Sequence, residues 1–155
     1  MTTTQGTMQQ LMTDAAVDTS VNMTARILGL SPETVTKILQ IGLPMMARMA
    51  ETNPEVLTAL YEQSVTLLPE PVQEFYAKLA ESPEAQQKLT DDFKTLAGPM
   101  MESLNRETAR GAGISEEKAG AALATTYPAV AEALATRNAD KTQEGFAQQL
   151  RNMAA

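Results

Sequence analysis

Carboxylates are the first side chains in this chain that could do chemistry. Asp91-Asp92 and Glu116-Glu117 are adjacent pairs, and Glu81 lies close to Glu84. Two carboxylates held together in a cleft can divide acid and base work between them. Acids near helix starts, however, are ordinarily solvated and stabilised by the helix dipole. That is the expectation for these pairs.

Most other catalytic chemistry lacks a partner. The chain contains no His and no Cys. This excludes Ser-His-Asp and Cys-His nucleophiles within one chain. It also excludes His-containing zinc and di-iron sites and disulfides. No G-x-x-x-x-G-K-[ST] loop and no strand-borne G-x-G-x-x-G is present. Gly111-Ala112-Gly113 falls at an expected helix end and reads as a turn. Ser and Lys are both available, but nothing singles out one serine as a nucleophile. The expectation is a protein that is not an enzyme, with no catalytic or metal-binding residues and no cofactor.

Methionine is the one unusual excess, with ten residues. Met45, Met46 and Met49 follow Pro44, and Met100 and Met101 follow Pro99. Methionine fills irregular core gaps, and it also lines adaptable binding grooves. These five are therefore either core filler or an exposed patch that docks a partner helix or a second copy of the chain. They are the candidate partner-binding residues.

The elements that must position these residues read as helices throughout. Hydrophobic residues are 43% of the chain but aromatics only 4%, so the core must be built from Ala, Leu, Val, Ile and Met. These, with Glu, Gln and Lys, are largely good helix formers. No segment alternates as a half-buried strand would. Ser31-Pro32-Glu33, Asn53-Pro54-Glu55 and Ser82-Pro83-Glu84 each give a cap, a first-turn Pro and an acid at the positive end of a helix. Ser115-Glu116-Glu117 is a fourth start without the Pro. The expected helices are 6–16, 20–28, 32–52 bent near Pro44, 54–67, 71–80, 83–97, 99–111, 116–136 bent near Pro128, and 140–153. Gly98-Pro99 should break the chain between two of them.

The chain also repeats itself. Residues 24–51 and 108–135 align without a gap, with nine of 28 positions identical. The shared residues include Gly29/Gly113, Ser31/Ser115 and Pro44/Pro128. The expected fold is all-α, a duplicated multihelical domain. A polar arm or short helix (1–19) precedes a single domain (20–155). That domain contains repeat 1 (20–68), linking helices (69–104) and repeat 2 (105–155). Gly29 and Gly113 should end a short helix in a left-handed conformation, and Pro44 and Pro128 should bend or end a long one.

Each repeat resembles a helix-turn-helix, whose second helix reads the major groove in DNA-binding proteins. Here that helix offers Glu33, Thr34, Thr36, Lys37 and Gln40 in one copy, and Glu116, Glu117 and Lys118 followed by Ala and Gly in the other. Neither supplies the basic residues that phosphate and guanine contacts need. The net charge is −7, from 12 basic and 19 acidic residues, and it opposes nucleic acid and anionic membranes alike. No apolar run is long enough for a membrane span, and MTTTQGTMQQ lacks the regions of a secretory signal. Cytoplasmic residence without membrane insertion is expected.

With the repeat laid out, the chain resembles the YidB-like family of bacterial helical proteins of unknown function. GLSPETV (29–35) with Leu43-Pro44, and GISEEKA (113–119) with Tyr127-Pro128, carry the resemblance. It covers roughly residues 20–138 and implies a compact multihelical duplication, without catalytic or cofactor residues. The expected function is a scaffold, adaptor or accessory subunit acting through helical apolar surfaces, self-association included. A helix-turn-helix DNA-binding regulator is the alternative. A binder or enzyme using an apolar cavity between the repeats is a third reading.

Overall fold

The computed structural model describes residues 10–65, 71–138 and 142–154, and every regular element among them is helical. A helical turn at 10–13 is followed by α1 (Ala15–Leu28), α2 (Pro32–Glu51), α3 (Pro54–Val65), α4 (Val72–Ala80) and α5 (Pro83–Ala97). A 3-10 turn (Gly98–Met100) leads into α6 (Met101–Ala112), α7 (Glu116–Arg137) and α8 (Gln143–Ala154).

The start of the chain departs from expectation. In place of helices at 6–16 and 20–28, the break falls at Asp14, and α1 runs through 17–19. Asp14 is the reason, because its Oδ1 accepts from the N–H groups of Ala16 (2.9 Å) and Val17 (3.3 Å). A cap of this kind satisfies donors that a helix start otherwise leaves unpaired. The boundary expected between residues 19 and 20 thus lies inside a helix. Leu11 and Val17 are both core residues, and Asp14 also pairs with Arg137 at 3.1 Å. Residues 66–67 and 140–141, expected to be helical, lie outside the described residues.

The turns follow the sequence signals. Gly29 (φ 69°, ψ 36°) and Gly113 (φ 73°, ψ 35°) are left-handed. Their N–H groups donate to the carbonyls of Ala25 and Ala109. Leu30 and Ile114 follow, donating to the same two carbonyls. Ser31 and Ser115 then cap the next helices through Thr34 N–H (3.1 Å) and Lys118 N–H (3.2 Å). Gly98 sits at φ 56°, ψ −129°, a region essentially reserved for glycine, and it separates α5 from α6. Both α2 and α7 run unbroken through Pro44 and Pro128. Each proline lacks the N–H that would bond the carbonyl four residues earlier.

Packing places α7 at the centre. Fifteen of its 22 residues are buried, against eight of 20 for α2. A helix buried on all sides lacks a polar stripe, and α7 accordingly has Ala or Gly at most of its first ten positions. It packs on α1, α2, α3, α5 and α6. Its Thr125 carbonyl accepts from Tyr76 OH of α4 at 2.6 Å. The contacts also pair off across the sequence repeat. α1 lies on α7 as α6 lies on α2, and α3 lies on α7 as α8 lies on α2. At the α2 crossing, a Cβ on Gly42 would stand 2.8 Å from Leu123 Cδ2 and 3.1 Å from Thr108 Cγ2, so the helices meet closely there.

Candidate functional site

The five methionines separate into two groups. Met46 (0% exposed), Met100 (5%) and Met101 (9%) are core residues and are not open to a partner on this fold. Met45 and Met49 are half-buried at the core's edge on α2, one turn apart. Ile41, also half-buried, continues their stripe by one further turn. A Cβ on Gly111 of α6 would fall against Ile41 Cδ1, so the stripe runs along the seam between α2 and α6. The matched residues on α7, Ala129 and Ala133, are enclosed.

The helix-turn-helix geometry exists locally, with different surroundings in its two occurrences. On α2, Glu33, Lys37 and Gln40 are exposed. On α7, only Glu116, Glu117 and Lys118 are, and from Ala119 onward the helix is inside the bundle. That second helix cannot enter a groove without dismantling the core.

The acidic pairs lie on the surface. Asp92 bridges to Lys88 at 2.9 Å, Asp91 accepts from Gln87 Nε2 at 2.9 Å, and Glu81, Glu84, Glu116 and Glu117 are exposed. Among the described residues no group of three acids converges as a metal site would require. Nor is any helix there long and apolar enough to cross a membrane.

Two cavities border α7. The smaller, about 70 Å³, lies between α3, α5 and α7 and is lined by Phe93, Tyr127 and Pro128, with Asp92 and Gln63 among its polar residues. Phe93 and Tyr127 pack there with ring centroids 5.6 Å apart. The larger, about 370 Å³, is formed by α5, α6 and the first turns of α7, with Lys94, Asn105, Glu116, Glu117 and Gly120 among its lining.

Tyr76 and Tyr127 are both buried, and burial pushes both phenols above the ordinary range. For Tyr76 the backbone of Ala129 and the Ser20 hydroxyl act in the opposite direction and offset only part of the shift. Tyr127 OH has no hydrogen-bond partner.

Sequence reasoning missed Asn105, Gly120 and Tyr127. A signal for them exists in the repeat. Their matched residues are Val21, Thr36 and Leu43, so each is a departure from the other copy at a buried or half-buried position.

No protein-family model matches the chain, and neither the curated proteins nor the solved structures include a detectable relative. Its function must be argued from its own residues.

Proposed function

We propose that this protein is a non-catalytic interaction module, a scaffold, adaptor or accessory subunit built on a duplicated helical unit, working in the cytoplasm. Matching turn angles at Gly29 and Gly113, matching serine caps, and the exchanged pairing of α1–α7 with α6–α2 support the duplication. The same Gly, Ser and Pro positions carry the resemblance to the YidB-like family, of which the chain would be a divergent member.

The observation that carries the interaction reading is the flank of α2. Ile41, Met45 and Met49 form a half-exposed apolar stripe, while the corresponding flank of α7 is covered by its neighbours, with Ala129 packed against Tyr76 and Leu79. Flexible methionines at a surface seam suit a partner helix or a second copy of the chain. Met45→Ser with Met49→Ser should leave the thermal midpoint within a few degrees while weakening self-association or partner capture at least tenfold. Light scattering and affinity capture with quantitative mass spectrometry measure both. Unchanged assembly in that variant defeats the proposal.

The helix-turn-helix alternative is disfavoured by the enclosure of α7 and by the acidic total charge. A shift of a labelled duplex at low salt would revive it.

A further inference from the structure

Two residues that cost the fold stability meet beside the larger cleft. Asn105 Oδ1 is buried without a hydrogen-bond partner, an arrangement worth about 1–3 kcal/mol of destabilisation. Gly120 lies within α7, where glycine is less favourable than alanine by about 1 kcal/mol. The two are coupled. A Cβ on Gly120 would stand 2.9 Å from Asn105 Nδ2 and 3.0 Å from Oδ1, so the glycine makes room for the carboxamide. The matched residues in the first copy are Val21, which is 6% exposed, and Thr36. An apolar solution is thus in use at the corresponding place in this same chain. Three other buried side-chain atoms lack partners, on Thr24, Tyr127 and Gln149. None of those residues lines this cleft.

We propose that the cleft binds a small zwitterion carrying a protonated amine and a carboxylate. Its volume of about 370 Å³ lies within the range of small-molecule sites, roughly 300–1,000 Å³. Its charges stand on different helices, with Lys94 on α5 and Glu116 and Glu117 on α7. Asn105 contributes from α6. As a whole residue it is half-buried while its Oδ1 is enclosed. Rotation of the carboxamide about χ2 therefore exchanges the trapped acceptor towards the cleft. There an ammonium N–H donates to it, with Glu116 and Glu117 balancing the charge, and Lys94 takes the ligand's carboxylate. The three charged side chains are exposed and individually weak. Specificity comes from the acceptor that lacks a donor until the amine arrives. This site is independent of the stripe on α2.

The test is a ¹⁵N–¹H titration of the full chain with alanine and glutamine as probes, to about 10 mM. Trimethylglycine (no N–H), putrescine (cation only) and succinate (anion only) serve as controls. The expected result is a saturable shift of the Asn105 side-chain amide and the Gly120 backbone amide with the amino acids, and at least tenfold weaker binding of all three controls. Asn105→Val should abolish binding while keeping or raising the thermal midpoint, because it installs the residue the other copy uses. Lys94→Gln, at an exposed position, should weaken binding at least fivefold with the midpoint unchanged. The proposal is overturned if neither amino acid gives a saturable shift, if Asn105→Val binds as well as the parent, or if any control binds as tightly as the amino acids.

Discussion

α2 and α7 hold matched positions in the two sequence copies, yet one lies at the edge of the fold and the other at its centre. Their shared residues shape backbone: the serine caps at 31 and 115, Leu39 and Leu123 in the core, and prolines at 44 and 128. Their differences follow from what surrounds each helix. Where α2 has Met45, Met46 and Met49, α7 has Ala129, Val130 and Ala133, all enclosed. A helix flanked by five others must keep its side chains short to let them approach, because interiors are packed to near-crystalline density. A helix with a free flank can carry long flexible ones. Size at these positions thus reports location in the bundle.

Exchanging the residues is the sharpest way to break this comparison. Ala129→Met places the α2 residue into a fully enclosed site beside Tyr76 and Leu79. Overpacking of this kind should cost about 3 kcal/mol, visible as a lower urea midpoint and a loss of near-ultraviolet tyrosine signal. The reciprocal Met45→Ala removes a half-exposed side chain, at a cost of about 1 kcal/mol or less, because neighbours and water can close over the gap. Equal costs would mean that the two flanks are equally confined.

This contrast also marks what was readable in the sequence. Turns and caps were legible because they are local. Gly29, Ser31, Gly98 and Gly113 declare their conformations through their own covalent structure. The split at Asp14 was local too, but the apolar spacing around it hid it. The centrality of α7 is a tertiary fact, and its Ala-rich run suits a surface helix or an enclosed one equally well. The two functions open to methionine stay open for the same reason. Met45 and Met46 are adjacent in sequence, and only the position of α6 and the core decides that one is half-exposed and the other hidden. Asn105 and Gly120 show the converse. Their oddness could be read by aligning the copies, but their meeting beside one cleft could not.

The two buried tyrosines refine the comparison at a smaller scale. Tyr76 donates to Thr125 O at 2.6 Å, whereas Tyr127, where α2 has Leu43, donates to nothing. Tyr76→Phe should therefore cost about 1–1.5 kcal/mol, and Tyr127→Phe should be neutral or stabilising, since it removes an unpaired buried hydroxyl. Both phenols titrate above their ordinary value near 10 in the folded state. Above that pH the unfolded chain has released protons that the folded chain still holds, so stability falls as pH rises past about 10. The double Phe variant should show a shallower alkaline loss in urea titrations at pH 9 and 11. Parallel losses in parent and variant would mean that these phenols are not the groups responsible.

The smallest effects should be those that the two copies share. Ser31 and Ser115 each accept one backbone N–H, at 3.1 and 3.2 Å, from exposed positions at the heads of α2 and α7. Replacing either by Ala removes a cap and should cost about 0.5–1 kcal/mol. The two costs should agree within about 0.5 kcal/mol, even though one cap heads the peripheral helix and the other the central one. Both caps act on their own first turn, and the residues around them are solvated in either place. One surrounding differs: Ser31 Oγ also lies 2.8 Å from Thr34 Oγ1, a contact the second copy replaces with Lys118. If Ser31→Ala proves the costlier, Ser31→Ala in a Thr34→Lys background should restore equality. A gap that survives that change would mean that helix position, and not cap chemistry, sets the cost, which would extend the α2–α7 difference to the very ends of the helices.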